Sequence, residues 1–365
     1  MMVLLGLGVI PAMQAQTFGK LWKEVEQAEK KSLPKTVIKL TDEIYQKGEK
    51  ERNSAQMLKA YMWRMKTQDI LTPDSFYVGL RDLEQWAKQT EQPMDRAILH
   101  SLIAEFYANY AADNQWQLRQ RTEIVGETPS ADIREWTANM FVEKVRTNVK
   151  EALADSLLLL KTSSLNYIPF VELGETSEYY YHDMYHLLAS RAIRALNQIE
   201  RLERGSFNGI TASPVKQDII NIYERMTDAY KTAGLKEGYV LTMLQYLEWK
   251  RGNDNKLQPV QLKKGLGEWT ADTYNAALDE LKRQFKSEPI CAEVYLAQVR
   301  YAVEKMQQVN ALQLCDEAIR LYPGYRRINA LKNLREEILA PFLNVSAVSQ
   351  AFPNEEIKLN VGHKN

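Results

Sequence analysis

The chain has 365 residues, and its 47 basic and 47 acidic side chains are scattered along its length. This scattered balance argues against the concentrated basic face that nucleic-acid binding requires, and it does not suggest a polybasic segment for a membrane surface. A chain of this length predicts two domains or one elongated repeat structure rather than a single small core.

The first fifteen residues, MMVLLGLGVIPAMQA, are apolar and uncharged. A run of about ten apolar residues is too short to cross a bilayer and is typical of a signal peptide. Cleavage after Ala15 would leave Gln16 as the mature N-terminus, although Met13 is larger than the usual residue three before the cut. No Lys or Arg precedes the run, so an upstream start codon is our hypothesis.

The rest of the chain carries no lipid-anchor cysteine after the cleavage site and no second apolar run near the roughly 20 residues of a transmembrane helix. We therefore predict an exported, soluble protein of the periplasm or cell envelope, without an integral membrane segment. Residues 1–15 are assigned to the signal peptide.

Residues 16–340 have the apolar period of α-helices throughout. Phe18, Leu21, Trp22 and Val25 form one apolar face, spaced i, i+3, i+4, i+7. Later helices are predicted to begin at prolines, whose missing N–H has no cost in the first turn; these are Pro34, Pro73 and Pro93. Short breaks rich in Pro, Gly and Asn separate the helices. The pattern predicts an all-α fold of stacked helical hairpins, an α-solenoid.

The stretch EYYYHDMYH contains the one constellation that resembles a catalytic site. His182 and His186 have the i, i+4 spacing of a metalloprotease zinc helix, and Glu178 extends the ladder to i+8. However, Asp183 stands where the general-base Glu belongs, and no motif for a third protein ligand follows. A structural helix, with Tyr181, Met184, Tyr185 and Leu188 as its apolar face, explains the same residues. We prefer that interpretation, and keep open a metal held by Glu178, His182 and His186.

Residues 292–325 resemble one tetratricopeptide repeat. Ala311, Ala318 and Pro323 have the spacing of its second helix, Tyr295 matches the first-helix aromatic, and Cys315 matches a buried core position. Two positions depart from the repeat, namely Val299 and Ala302. We therefore predict tetratricopeptide-like hairpins rather than consensus repeats.

The two cysteines, Cys291 and Cys315, are predicted to be buried free thiols. In a helical hairpin spanning residues 290–322 they would be offset by roughly 10 Å along the axis, because a helix rises about 1.5 Å per residue. That offset exceeds the about 7 Å between Cα atoms that a disulfide allows.

The pattern changes after residue 340. Ile357, Leu359 and Val361 alternate with period two, which predicts a strand, and residues 344–348 are the candidate partner strand. A two-stranded piece does not bury a face alone. Residues 343–365 therefore either pack on the last helix or open a β-domain.

Motifs of nucleophilic catalysis and phosphate binding are missing from the sequence, which has no G-x-S-x-G and no glycine-rich loop. We therefore predict no enzymatic activity, no catalytic residue and no cofactor.

Several long stretches carry a family resemblance: FGKLWKEVEQAEKKSLPKTVIKLTDEIYQKGEKE, LTPDSFYVGLRDLEQWA, ADNQWQLRQRTEI, GETSEYYYHDMYHLLASRAI and AFPNEEIKLNV. They resemble the N-terminal region of large Bacteroidetes proteins of the alpha-2-macroglobulin family, over about residues 16–365. The resemblance implies an exported protease trap, an endopeptidase inhibitor, whose β-sandwich domains follow a long helical region. Residues 343–365 would then open the first macroglobulin-type domain, truncated in this chain, and proteases would be partners through the domains that are missing here.

The family thioester does not carry over to this chain. The family motif is Cys-Gly-Glu-Gln, whereas Cys291 begins CAEV and Cys315 begins CDEA. Without the Gln that supplies the acyl group, neither cysteine forms the bond. The resemblance therefore implies a non-catalytic helical module for protein–protein contact or positioning. Two alternatives stay open: a free-standing exported scaffold that binds a peptide or envelope partner, and a metal-dependent hydrolase using His182 and His186.

Overall fold

The computed structural model describes residues 11–72, 76–122, 130–174, 177–203, 213–253, 271–347 and 359–364. The all-α prediction is confirmed, because fifteen α-helices, three short 3₁₀-helices and one pair of short strands make up the regular structure within these ranges. The helices are α1 Pro11–Lys30, α2 Pro34–Glu51, α3 Ser54–Leu71, α4 Phe76–Gln89, α5 Pro93–Asp113, α6 Gln115–Gln120, α7 Ala138–Ala152, α8 Ser156–Lys161, α9 Met184–Glu200, α10 Pro214–Thr232, α11 Lys236–Asn253, α12 Ala271–Phe285, α13 Cys291–Glu304, α14 Gln308–Leu321 and α15 Ile328–Leu339.

The predicted signal peptide falls mostly outside the described residues. Residues 1–10 are not described, and residues 11–15 form the first turns of α1. In the described part of the chain, no helix combines the length and apolar content needed to cross a bilayer.

Helix starts follow the chemistry of the unpaired N–H groups in the first turn. Pro34 and Pro93 occupy the first turns of α2 and α5, as predicted, whereas Pro73 lies outside the described residues. Other helices begin after a polar cap: the Asn53 side chain accepts the N–H of Gln56 at 3.2 Å. Such caps stabilise a helix by roughly 1 kcal/mol.

The chain divides into two compact units, residues 1–238 and 239–365. In the first unit α2 packs on α3, and α5 packs on both α7 and α9. The predicted apolar face of α1 is confirmed, since Phe18, Trp22 and Val25 are buried. The Trp22 indole N–H also donates to Gln56 Oε1 at 2.7 Å, which links α1 to α3.

The second unit contains the predicted helical hairpin, formed by α13 and α14, with α15 packed beside it. Ala311, Cys315 and Ala318 are fully buried, as the tetratricopeptide-like pattern predicts. The other cysteine, Cys291, is buried too, and both thiols are free, which confirms that prediction.

A buried carboxylate connects α13 to the segment before α15. Glu293 is 2% exposed, and it accepts hydrogen bonds from Tyr325 Oη at 3.0 Å and from the Arg327 guanidinium at 2.7 Å. Because a buried charge without a partner is costly, this pair fixes the position of residues 325–327 against α13.

After α15, strand β1 (Phe342–Ala347) pairs with β2 (Leu359–Lys364) in an antiparallel ribbon. The predicted strands therefore overlap the observed ones, although Val348 and Ile357 lie outside the described residues. Val345 lies opposite Val361 in the register, and these side chains are 53% and 56% exposed. An isolated two-stranded ribbon is marginally stable in water.

Candidate ligand-binding cleft

The helix predicted to carry both His182 and His186 begins later than expected, at Met184. Asp183 is the N-cap of α9, and its Oδ1 accepts the backbone N–H of His186 at 2.7 Å. His182 therefore precedes the helix, and Glu178 lies in a separate turn of 3₁₀-helix, Ser177–Tyr179. A short polar side chain that accepts hydrogen bonds from the first-turn N–H groups fixes the start of the helix at this point.

The three residues therefore do not share one helical face. Nor does the described part of the chain hold any group of three or more His, Cys, Asp or Glu side chains arranged for a metal ion. Of the apolar face predicted for the same helix, Met184, Tyr185 and Leu188 are buried.

Asp183 lies in a buried, aromatic environment. It is 4% exposed, and its Oδ1 also accepts the Tyr230 hydroxyl at 2.9 Å, while its Oδ2 has no hydrogen-bond partner among the described residues. The fully buried His186 ring meets Tyr180 edge to face, with 5.6 Å between ring centroids. Burial raises the pKa of Asp183 to about 7, although its hydrogen bonds from His186 and Tyr230 oppose the shift.

The residues between α8 and α9 form a loop that is closed at its base. The Met184 N–H donates to Thr162 O at 2.8 Å, and the Ser164 N–H donates to His182 O at 3.2 Å. These bonds bring Ser163 opposite Asp183 in an isolated antiparallel bridge. We call residues 163–183 the closed loop.

Side chains from two other helices hold the closed loop in place. The Tyr167 hydroxyl donates to Asp95 Oδ1 of α5 at 3.0 Å, and Lys59 of α3 lies 3.2 Å from the Glu172 carboxylate. The loop is therefore positioned by α3 and α5 as well as by the cap of α9.

A cleft of about 230 Å³ lies between the closed loop and α9. The loop contributes Leu173, Tyr181 and His182, and α9 contributes Arg191 and Arg194. Hydroxyls, a histidine and two guanidiniums converge there beside apolar side chains, which is the composition of a small-ligand site.

A second cavity of about 240 Å³ lies behind the same part of the loop, and we call it the apolar chamber. Its lining is mainly apolar and comes from α3, α5, α9 and the loop, and it includes Met62, Ile98, Leu102, Phe170 and Leu188. Arg191 lines both the cleft and the chamber.

Glu105 of α5 lies beside both arginines of the cleft. Arg191 forms a close ion pair with it, and Arg194 is 3.9 Å from its other carboxylate oxygen. Burial lowers the pKa of Arg191, an effect that Glu105 opposes, yet an arginine keeps its charge in such a site. The Arg194 side chain is 60% exposed and so is accessible to a ligand.

A third cavity, of about 350 Å³, is lined by residues of α7 and α10. Its central cation, Arg146, is bonded to Asp218 at 2.5 Å and to Glu143 at 2.9 Å. Glu143 and Asp218 neutralise this guanidinium, while Lys150 and Arg225 also line the cavity.

The sequence pattern suggested His182 and His186 as candidate site residues, and it did not indicate Arg191 or Arg194. The only local signal is the i, i+3 spacing of Arg191 and Arg194 in an otherwise apolar helix segment, ASRAIRAL. Their carboxylate partner lies 86 residues from Arg191 in the sequence, so spacing rules give no access to the pair.

Comparison with known proteins gives two negative findings. No protein-family model matches the chain, and no curated protein matches it significantly.

Proposed function

We propose that the chain is a non-catalytic helical module of an exported alpha-2-macroglobulin-like protease trap, which mediates protein–protein contact or positions the trapping domains. The family part of this proposal rests on the sequence resemblance described above. The helical architecture agrees with the long helical region that the resemblance implies for residues 16–340.

The observation that carries the proposal is the ribbon of β1 and β2. It comes directly after α15, and its facing pair Val345 and Val361 is more than half exposed. Such a ribbon gains stability when further strands or another layer cover its apolar face. The first strands of a β-sandwich domain would present this arrangement.

The proposal is tested by the size of the native protein. The 365-residue chain has a mass of 42.2 kDa, so an antibody raised against it should detect a much larger polypeptide in the envelope fraction of the source organism. The reading frame should also continue past the Asn365 codon into many strand-patterned domains. A native band at the mass of the chain alone, with a stop codon after Asn365, would refute the proposal.

The division of roles within the trap needs a separate test. The purified 365-residue chain should neither hydrolyse casein nor slow its hydrolysis by trypsin, because the bait and thioester chemistry would belong to other domains. Protease inhibition by the chain itself would assign the trapping activity to the helical region and contradict a purely positioning role.

A second candidate is a free-standing exported scaffold with tetratricopeptide-like hairpins, and the hairpin of α13 and α14 favours it. Met306, in the turn between these helices, and Val309, in the first turn of α14, are exposed apolar side chains. A stop codon after Asn365 would favour this scaffold over the trap.

A further inference from the structure

The cleft and the apolar chamber are adjacent, because four residues line both of them: Val171, Glu172, Leu187 and Arg191. One side of this shared wall carries hydroxyls and guanidiniums, and the other side is mainly apolar. A ligand that occupies both spaces must therefore have a polar end and an apolar end.

The charged side chains that line the two cavities, Arg191, Arg194 and Glu172, carry one positive charge in excess, and the count is the same when their ion-pair partners Lys59 and Glu105 are added. Arg191, Arg194 and Lys59 provide three positive charges, whereas Glu105 and Glu172 provide two negative charges. Lys59 lies 3.2 Å from Glu172, and Arg191 pairs closely with Glu105, so the excess charge belongs to the exposed Arg194. One anionic group beside Arg194 would balance the site.

The chamber itself contains an unsatisfied polar group. Ser101 lines it, is 5% exposed, and its hydroxyl has no hydrogen-bond partner among the described residues. Since buried polar atoms in folded proteins nearly always have a partner, a ligand or a water in the chamber is expected to provide one.

We propose that the cleft and the apolar chamber together bind a carboxylate carried on a short apolar chain. The carboxylate lies beside Arg194 and Arg191, and the apolar chain enters the chamber past Leu187. The chamber has a volume of about 240 Å³, so we expect a short chain to fit it.

Two sources supply this chemistry: the C-terminal residue of a polypeptide with an apolar side chain, and a medium-chain fatty acid. The inference goes beyond the proposed function, because the cleft and chamber lie within residues 1–238 whether or not trapping domains follow. If neither acid binds, the inference fails, and the reading-frame test of the proposed function is not affected.

The experiment is isothermal titration calorimetry on the full 365-residue chain with two acids and their neutral counterparts. N-acetyl-leucine against N-acetyl-leucinamide represents a peptide C-terminus, and octanoate against octanamide represents a fatty acid. We expect at least one acid to bind with a Kd below about 1 mM, and its amide to bind at least about tenfold more weakly. The acid that binds more tightly identifies the source.

The critical variant is Arg194→Gln, which removes the more exposed charge and leaves the partly buried pair of Arg191 and Glu105 in place. It should weaken acid binding about tenfold, because a charge-assisted hydrogen bond is lost. The matched control is Arg81→Gln on α4, another exposed arginine, which should leave the affinity within about twofold. Ser101→Leu, which fills the chamber, should abolish binding of the apolar chain.

Three results would overturn the proposal: no binding of either acid up to about 10 mM, equal affinity for acid and amide, or an affinity unchanged by Arg194→Gln. Circular dichroism on each variant shows whether the fold is kept. Because Arg194 is largely exposed, its replacement tests the proposal even if Ser101→Leu fails to fold.

Discussion

At the scale of single residues, Asp183 accepts hydrogen bonds that favour its charged form, while its burial favours the neutral form. Its carboxylate caps α9 and accepts the Tyr230 hydroxyl, yet it is removed from water and burial raises its pKa to about 7. The folded chain therefore holds a proton between pH of about 4 and about 7 that the unfolded chain has already released. It follows that the contribution of this group to the free energy of unfolding falls as the pH rises through that range.

We expect Asp183→Asn to remove this pH dependence, because the amide keeps an oxygen for the cap and has no proton to lose. A shift of about three pKa units corresponds to a stability change on the order of 4 kcal/mol between pH 4 and pH 8. Urea denaturation at several pH values measures it. The control is Asp155→Asn, which changes the exposed cap of α8 and should leave the slope as it is. If the free energy of unfolding changes equally with pH in the wild type and in Asp183→Asn, Asp183 is not the group responsible for the pH dependence.

The two thiols allow a second prediction at this scale. Burial raises the pKa of Cys315 to about 11 and also raises that of Cys291, so little reactive thiolate forms near neutral pH. Ellman's reagent should label neither cysteine in the native chain and both after denaturation without reductant. Labelling of fewer than two thiols in the denatured, unreduced chain would indicate a disulfide and contradict the free-thiol state.

At the scale of elements, the helices followed from apolar periodicity and from cap chemistry together. Apolar spacing located α1, a proline in the first turn marked α2, and the resemblance to a tetratricopeptide repeat marked α13 and α14. Apolar spacing failed before α9 because Tyr181 and His182 continue the same period although they precede the helix. The missing information was the cap: an Asp directly before Met184 and Tyr185 is a standard start signal.

The link between α13 and α15 gives a prediction for an element contact. Arg327→Ala would leave the Glu293 carboxylate buried without its cation, and burial already raises the pKa of that group against the influence of Arg327. We expect the free energy of unfolding to fall by about 3 kcal/mol, measured by urea denaturation at pH 7. Adding Glu293→Gln should recover part of the loss, because the uncompensated charge disappears.

The control breaks a more exposed ion pair, between α14 and α15. Arg335 lies 2.6 Å from Asp316, and their side chains are 33% and 59% exposed, so Arg335→Ala should cost less than about 1 kcal/mol. If both arginine variants lose the same stability, the burial of Glu293 has no special role.

At the scale of the whole molecule, the sequence predicted the fold class but not where the chain divides. Length indicated two domains or one elongated repeat, and the observed division falls between Gly238 and Tyr239, inside α11. No linker rich in Pro or Ser marks that point in the sequence. The candidate site could not be predicted from the sequence either, because Glu105, Arg191 and the closed loop meet only through the packing of α5 on α9.

The equal numbers of acidic and basic side chains give the last prediction. With 47 of each, the net charge is zero at pH 7, so repulsion between molecules is weakest there. We expect the solubility of the purified chain to pass through a minimum near pH 7 and to rise on either side, measured as protein left in the supernatant. Succinylation of lysines should move the minimum to lower pH. A solubility that changes steadily through pH 7 would contradict this expectation.

The closed loop has a consequence for the evolution of the protein. Its two ends meet in the bridge of Ser163 and Asp183, which joins the residues that follow α8 to the N-cap of α9. We therefore expect a change of length between these two residues to be tolerated with α8 and α9 still joined. Diversity among relatives should concentrate there, and the cleft would change its preference without a change of scaffold.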